Sequence, residues 1–411
     1  MFTTPDNDDA VPDCPPFNPP GPVPSGFYKD CQTIPTAEHF NELIVNLRGL
    51  LYQTTIVDEG DGVVAVKGDS TTLAQGVLRA GVITQGILVD VDPAGGGVAE
   101  PRDPFAGDPF DKLSSALKWA KRFRMAGPHG FLTINLAGAQ THNEPNEVMV
   151  DHPDGHRLDI RGADKTGTVL NFLGSRGGLW VRGPLHGLFN FTICGNNQSS
   201  AGPGLWVDGG RIGHLDELEL TAWNYPQAAV VLDGGFVRCA KPWPEIPTNG
   251  TLKIYNCHAG GIWLSGGSTF YADTLTVQQI GRVYELPFWY GLLVQHGSRA
   301  MIDTCTIDTA AVGIRVTGAG SYLGARILHA NNSDAPAAIT ADNMGSIQNT
   351  NTAATPGDWS TWNTAANTPQ NFAASAMSLI NAQHALATAN VANASPAVNV
   401  TGNNGSLIIS T

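Results

Sequence analysis

The sequence predicts an all-β chain wound as a right-handed parallel β-helix, a solenoid of about seven turns. Three observations predict it. A short strand ended by glycine recurs: GLWVRG from Gly178, GLWVDGG from Gly204, AVVLDGG from Ala229, GIWLSGG from Gly261, GLLVQHG from Gly291, GIRVTGAG from Gly313 and AITADNMG from Ala338. The start-to-start steps are 26, 25, 32, 30, 22 and 25 residues, the period of one solenoid coil. Within each copy two alternate positions are apolar, as in Leu205 and Val207, Val230 and Leu232, Ile262 and Leu264, or Leu292 and Val294. Alternation with period two puts such pairs on one face of a strand. Finally, glycine is 48 of 411 residues and charged residues are 14%, whereas a helical repeat would need apolar residues at a 3.6-residue period.

The elements follow in chain order. Residues 1–56 form an extended proline-rich arm (PDCPPFNPPGPVP) and an attachment helix. Proline lacks the donor and the freedom that a helix interior or a central strand needs. Thr36–Leu51 then places Phe40, Leu43, Ile44, Leu47 and Leu51 on one helical stripe, suited to docking. Residues 57–109 read as a small β-rich region closed by a Gly/Pro linker. Residues 110–346 are the β-helix with its capping helix, on which Phe110, Leu113, Leu117, Ala120 and Phe123 share a face. A second strand per coil is read at Leu218–Leu220, Leu252–Ile254, Leu275–Val277 and Cys305–Ile307. Residues 347–411 turn rich in Asn, Thr and Ala, which fits trimerisation or capping. A helix is expected over Phe372–Leu386 and a strand in the closing SLIIST.

The stretch LSSALKWAKRF, then FLTINLAG, then LDIRGAD with Ile160-Arg161-Gly162 at a strand end, resembles the opening of the pectate-lyase-like β-helices. In those folds an amphipathic helix plugs the open end of the column. Residues 110–346 look like the β-helix of bacteriophage tailspikes and tail fibres, and GFYKDCQTIPTAEHFNELIVNLRGLL looks like the opening segment of phage tail proteins. The resemblance covers about two-thirds of the chain. It implies a virion protein, a homotrimer held to other virion proteins by its N-terminal arm, contacting a host-surface glycan with its β-helix. It leaves two alternatives: a depolymerase that cleaves host capsule or lipopolysaccharide, and a capsid decoration or head fibre. The superfamily's lyases use calcium-binding Asp clusters and a basic proton abstractor, and no such set is placed in this sequence.

If the apolar positions face inward, the residues between them face out. Those of the first five copies are Trp180, Trp206, Val231, Trp263 and Leu293. Stacked strands lie about 4.8 Å apart, so the five make a stripe that calls for an explanation. Burial in a trimer seam is one and stacking of sugar rings is the other; Val231 and Leu293 favour the seam. The fourth positions include Asp208 and Asp233 in successive copies. Carboxyls roughly 5 Å apart suit the acid and nucleophile of a retaining glycosidase, though Asp before Gly is also an ordinary turn residue. Asp216, Glu217 and Glu219 are further acids in the same coil. His129, His142, His152 and His156 lack zinc spacing and read as scattered surface histidines. Asp58–Gly62 has too few ligands for a calcium loop. No metal and no cofactor is expected.

Composition narrows the classes. A formal charge of −13 opposes nucleic-acid binding, which needs Lys and Arg clusters. The sequence has no apolar run of 18 residues, so no membrane insertion is expected. The start MFTTPDNDDAVPDC has neither a basic n-region nor an apolar h-region, so the expectation is folding in a host cytoplasm and assembly into the virion. Six cysteines without CxxC spacing point to buried thiols, Cys257 and Cys305 lying in strand segments.

Overall fold

The computed structural model describes residues 81–174, 176–195, 202–223, 228–239, 250–257, 260–280, 290–309, 312–332 and 337–350, and the strands 357–363, 368–369, 371–374, 379–381, 385–388, 398–399 and 408–410. The attachment helix with Phe40, Leu43, Ile44 and Leu47 lies outside the described residues, as does Asp58–Gly62. The chain divides into two units: Met1–Gly86 with Arg122–Phe131, and Ile87–Lys121 with Leu132–Thr411. In the first, Val82–Ile83 pairs in parallel with Arg124–Met125. The second is the β-helix.

One wall of the β-helix is a nine-stranded, wholly parallel sheet. Its strands are Val148–Val150, Leu179–Val181, Leu205–Asp208, Ala228–Asp233, Gly260–Ser265, Tyr290–Gln295, Val312–Thr317, Ala337–Asp342 and Asn371–Ala374. The seven glycine-ended copies are the middle seven. Longer strands make the other two walls by turning a corner. Pro184–Cys194 pairs through its first half with Leu158–Gly162 and through its second with Thr168–Phe172. Arg211–Thr221 repeats the path one coil on. The corner is taken at Asn190 (φ 60°) and Glu217 (φ 49°), left-handed backbone that asparagine accepts more readily than glutamate.

Register turns the alternation into columns. Leu179, Leu205, Val230, Ile262, Leu292, Ile314 and Ile339 are consecutive partners, as are Val181, Val207, Leu232, Leu264, Val294, Val316 and Ala341. On the opposite side run Leu218, Leu252, Leu275, Cys305 and Leu328, and Leu220, Ile254, Val277, Ile307 and Ala330. None of these is more than 1% exposed. Each fully buried aliphatic side chain contributes roughly 1.5–3 kcal/mol, so the columns are the main source of stability. Burial pushes the thiols of Cys257 and Cys305 up to about 12, and they pack as apolar groups.

The turn that ends each of the six strands from Leu205–Asp208 to Ala337–Asp342 is built in two steps. Its first residue takes left-handed backbone, as at Gly234 (φ 65°). Its last sits so close to the coil before that a Cβ on Gly235 would stand 2.6 Å from the Val207 carbonyl oxygen. In three of the longer turns a buried serine fills that last place: Ser268, Ser298 and Ser321, all at most 1% exposed. Ser268 Oγ accepts from Gly235 N (3.2 Å), Ser298 Oγ from Ser268 N (3.1 Å) and Ser321 Oγ from Gly297 N (3.1 Å). The serines thus pin successive coils together.

Helix α1 (Leu113–Ala120) buries Leu113, Ala116, Leu117 and Ala120. It is shorter than the expected face: Phe110 lies outside it, in bridges to Val91 and Val98, and Phe123 lies beyond its C-terminus. Its own N-cap, Lys112, gives no side-chain bond. Glu144 of the first coil supplies one instead, Oε1 accepting from Ser114 N at 3.0 Å. At the other end His152 Nε2 meets the Ala120 carbonyl at 3.1 Å, with His152 Nδ1 accepting from Asp154 N. The helix is thereby fastened over the strands Gln140–Glu144 and Val148–Val150, as a cap must be.

The ladder continues past residue 346. Ala337–Ala341 pairs with Asn371–Ala374, and Leu328–Asn332 with Trp359–Asn363. The helix expected over Phe372–Leu386 is replaced by the strands Asn371–Ala374, Leu379–Asn381 and Ala385–Thr388; backbone partners offered by the preceding coil outweigh a weak helical period. The closing strand expected in SLIIST is present as Ile408–Ser410, antiparallel to Leu379–Asn381 and to Val398–Asn399. Among the described residues, no helix is long and apolar enough to cross a membrane.

Candidate functional site

The outer face of the nine-stranded sheet holds the residues that the sequence singled out. Cα register places Met149, Trp180, Trp206, Val231, Trp263, Leu293, Arg315 and Thr340 in one line. The line is less open than expected. Trp180, Trp206, Trp263 and Leu293 are half-buried, and Val231 is only 9% exposed. The reason is stacking along the solenoid axis. Trp180 and Trp206 lie with centroids 4.9 Å apart and planes 7° from parallel, and the Arg182 guanidinium stands 5.0 Å from the centre of the Trp180 ring. Ring faces therefore meet one another and the indoles turn their edges outward. A sugar platform needs open ring faces, so this arrangement disfavours it at Trp180 and Trp206. The Nε1 atoms of Trp180, Trp206 and Trp263 are covered and have no acceptor, an unusual state for a buried indole N–H.

Asp208 and Asp233 are register partners, as expected. Their surroundings are polar and open. Asp208 Oδ2 lies 3.5 Å from Arg182 Nε, and Asp233 Oδ1 accepts from the Ser265 hydroxyl at 3.1 Å. The other acids of that coil have structural partners. Asp216 is 2% exposed and accepts from Thr251 N at 3.0 Å. Glu217 pairs with Lys165, and Glu219 stands 3.9 Å from Lys253.

Beyond Leu293 the line turns polar. Arg315 donates to Asp342 Oδ2 through Nε (2.9 Å) and lies 2.7 Å from it through Nη2. Arg315 Nη1 also bonds the Tyr290 hydroxyl. Burial works against the guanidinium's charge, but the bonds to Tyr290 and Asp342 outweigh it and raise its pKa. Beside this group opens a cavity of about 340 Å³ lined by Tyr290, Leu293, Gln295, His296, Arg315, Thr317, Gly318 and Asn343. The sequence reading passed over it. Tyr290, Gln295, Arg315 and Thr317 lie in the strands Tyr290–Gln295 and Val312–Thr317, and the turn residues His296 and Asn343 close the cavity beside them.

A second polar group was also missed. Asp159, 1% exposed, has Oδ1 2.7 Å from His186 Nδ1 and Oδ2 accepting from Arg161 Nη2 at 2.8 Å. Arg161 lies over the Phe189 ring and His186 beside His214. The expectation of scattered surface histidines is corrected for two of the four. His142 and His152 are 0% and 2% exposed, each fixed to a backbone carbonyl. Among the described residues no group of three His, Cys, Asp or Glu side chains is arranged to hold a metal ion.

No family model, no curated protein and no solved structure matches this chain.

Proposed function

We propose that this chain is a bacteriophage virion protein of the tailspike or tail-fibre kind. It works as a homotrimer, attached to other virion proteins through its N-terminal arm and meeting a host-surface glycan with its β-helix. The observation that carries the reading is the line Trp180, Trp206, Val231, Trp263 and Leu293. It is an apolar stripe held in register along a rigid wall, with the Trp180 and Trp206 indoles stacked face to face and edges outward and three covered N–H groups lacking acceptors. Packing against the same stripe of neighbouring chains buries those edges. Of the charges beside it, Arg182 pairs with Asp208 and Arg315 with Asp342 within the chain, while Asp233, bonded to the Ser265 hydroxyl, adds one negative charge, so copies of a chain of net charge −13 meet there with limited repulsion. Three chains in one particle also multiply a weak glycan contact.

Light scattering on the full chain tests this: three chains per particle are expected, and a monomer at micromolar concentration would count decisively against it. Trp206→Glu and Trp263→Glu should release monomers that keep a β-type circular dichroism spectrum. A polysaccharide depolymerase is the second reading, favoured by the register that sets Asp208 beside Asp233. A reducing-end assay on host polysaccharide decides it, with activity lost in both Asp208→Asn and Asp233→Asn if the pair is catalytic.

A further inference from the structure

The cavity at the end of the stripe is the strongest unassigned feature of the molecule. It lies where the outward line changes from Trp263 and Leu293 to Arg315 and Thr340, and so at the margin of the surface assigned to the seam. Its volume, about 340 Å³, falls at the lower end of the range for small-ligand sites. Its walls are set by turns in constrained backbone: His296 (φ 53°), Gly318 (φ 92°) and Asn343 (φ 48°). Asn343 Nδ2 is anchored on the Thr317 hydroxyl at 3.2 Å. The guanidinium is held by Asp342 and Tyr290, so its fork has a fixed direction before any ligand arrives.

The balance of groups selects the ligand. Arg315 and Asp342 cancel in charge, so the site does not call for an anion. Gln295, Asn343, His296 and Thr317 offer both donors and acceptors, and Leu293 and Tyr290 offer apolar surface. A neutral sugar matches each: hydroxyls that donate and accept at once, and an apolar C–H face. We propose that this cavity is the subsite for one neutral pyranose unit of the host glycan, its hydroxyls met by Arg315, Asn343, Gln295 and Thr317 and its C–H face lying on Tyr290. This rests on the glycan-contact reading and places that contact on named residues.

The test is binding of the full chain to a printed array of bacterial O-chains and capsular polysaccharides, with free neutral monosaccharides as competitors. Three variants are compared with the parent: Arg315→Lys, which keeps the charge and loses the fork; Asn343→Gly, which keeps the left-handed turn; and Gln295→Ala, which removes one amide from the lining. Thermal melts establish that each is folded. Binding by the parent, a tenfold or greater loss in Arg315→Lys and Asn343→Gly with melts unchanged, and competition by a neutral sugar support the proposal. Equal binding by parent and all folded variants overturns the cavity assignment and leaves glycan contact standing. Binding confined to carboxylate- or phosphate-bearing glycans overturns the neutral-sugar assignment. No binding by the parent to any polysaccharide overturns the cavity assignment and the glycan contact together.

Discussion

Ser298 ties three coils by one side chain and its own backbone. Its hydroxyl accepts from Ser268 N, and its carbonyl accepts from Tyr322 N at 3.0 Å. Truncation to alanine removes that bond and leaves the Ser268 N–H with its 3.2 Å bond to the Ser265 carbonyl. The net contribution of one such hydrogen bond is about 0.5–1.5 kcal/mol. Ser298→Ala should therefore lower stability by that amount in urea unfolding, whereas Thr276→Ala, in a half-buried outward position, should change it by less than about 0.5 kcal/mol. The serines were not legible in the sequence. In GGS, HGS and GAGS the glycines announce a turn, and a serine next to a turn glycine looks like any other turn residue. Only the coil-to-coil distance shows that its oxygen meets a neighbour's amide. Asp208 and Asp233 were legible, because strict register follows from the copies themselves. What surrounds them was not, since Arg182 and Ser265 reach them from the coils on either side.

At the scale of elements, α1 shows how a cap depends on ionisation. Glu144 is 1% exposed. Burial raises its pKa above the usual carboxylate range, although bonds from the Ser114 and Leu113 amides pull the other way. A carboxyl with a raised folded pKa favours the fold fully below the unfolded value of about 4.3. That contribution is lost as pH rises through the folded value. Glu144→Gln keeps an acceptor for Ser114 N and removes the buried charge. It should raise stability at pH 7, the gain vanishing near pH 4 when melts are compared across pH. His142 carries the opposite slope. Burial lowers its pKa, so its share of stability is lost as pH falls below about 6.5. The sequence revealed the helix but not its length or its caps. Phe110 fits the apolar stripe, yet backbone bridges to Val91 and Val98 hold it outside the helix. Glu144 and His152 lie some thirty residues from the ends they satisfy, beyond any local signal. The same limit explains Phe372–Leu386, where a partner strand rather than local period decides the conformation.

For the whole molecule the columns dominate. Leu232 and Leu264 are register neighbours with no exposed surface. Leu232→Ala should cost about 2–5 kcal/mol, and Leu264→Ala a similar amount. Because the two side chains share one layer of packing, the double variant should depart from the sum by 0.5 kcal/mol or more in denaturant unfolding. This was the most legible part of the chain. A coil repeated seven times reports its inward face seven times over, and one misread residue cannot shift that pattern. The outward face carries no such redundancy. Trp180, Trp206 and Trp263 were correctly aligned, but ring orientation depends on torsions that spacing does not encode, so the stacking of Trp180 on Trp206 appears only in three dimensions.

The last strands have a consequence for how many molecules can join end to end. A solenoid whose final coil offers a parallel edge is a template for the next chain and, through it, for a fibril. Here Ile408–Ser410 runs backward against Leu379–Asn381, and a reversed strand cannot seed another coil of the same sense on that wall. Ending the chain at residue 397 would uncover that edge beside the parallel strand Asn371–Ala374. The shortened protein should then form thioflavin-positive filaments more readily than the full chain.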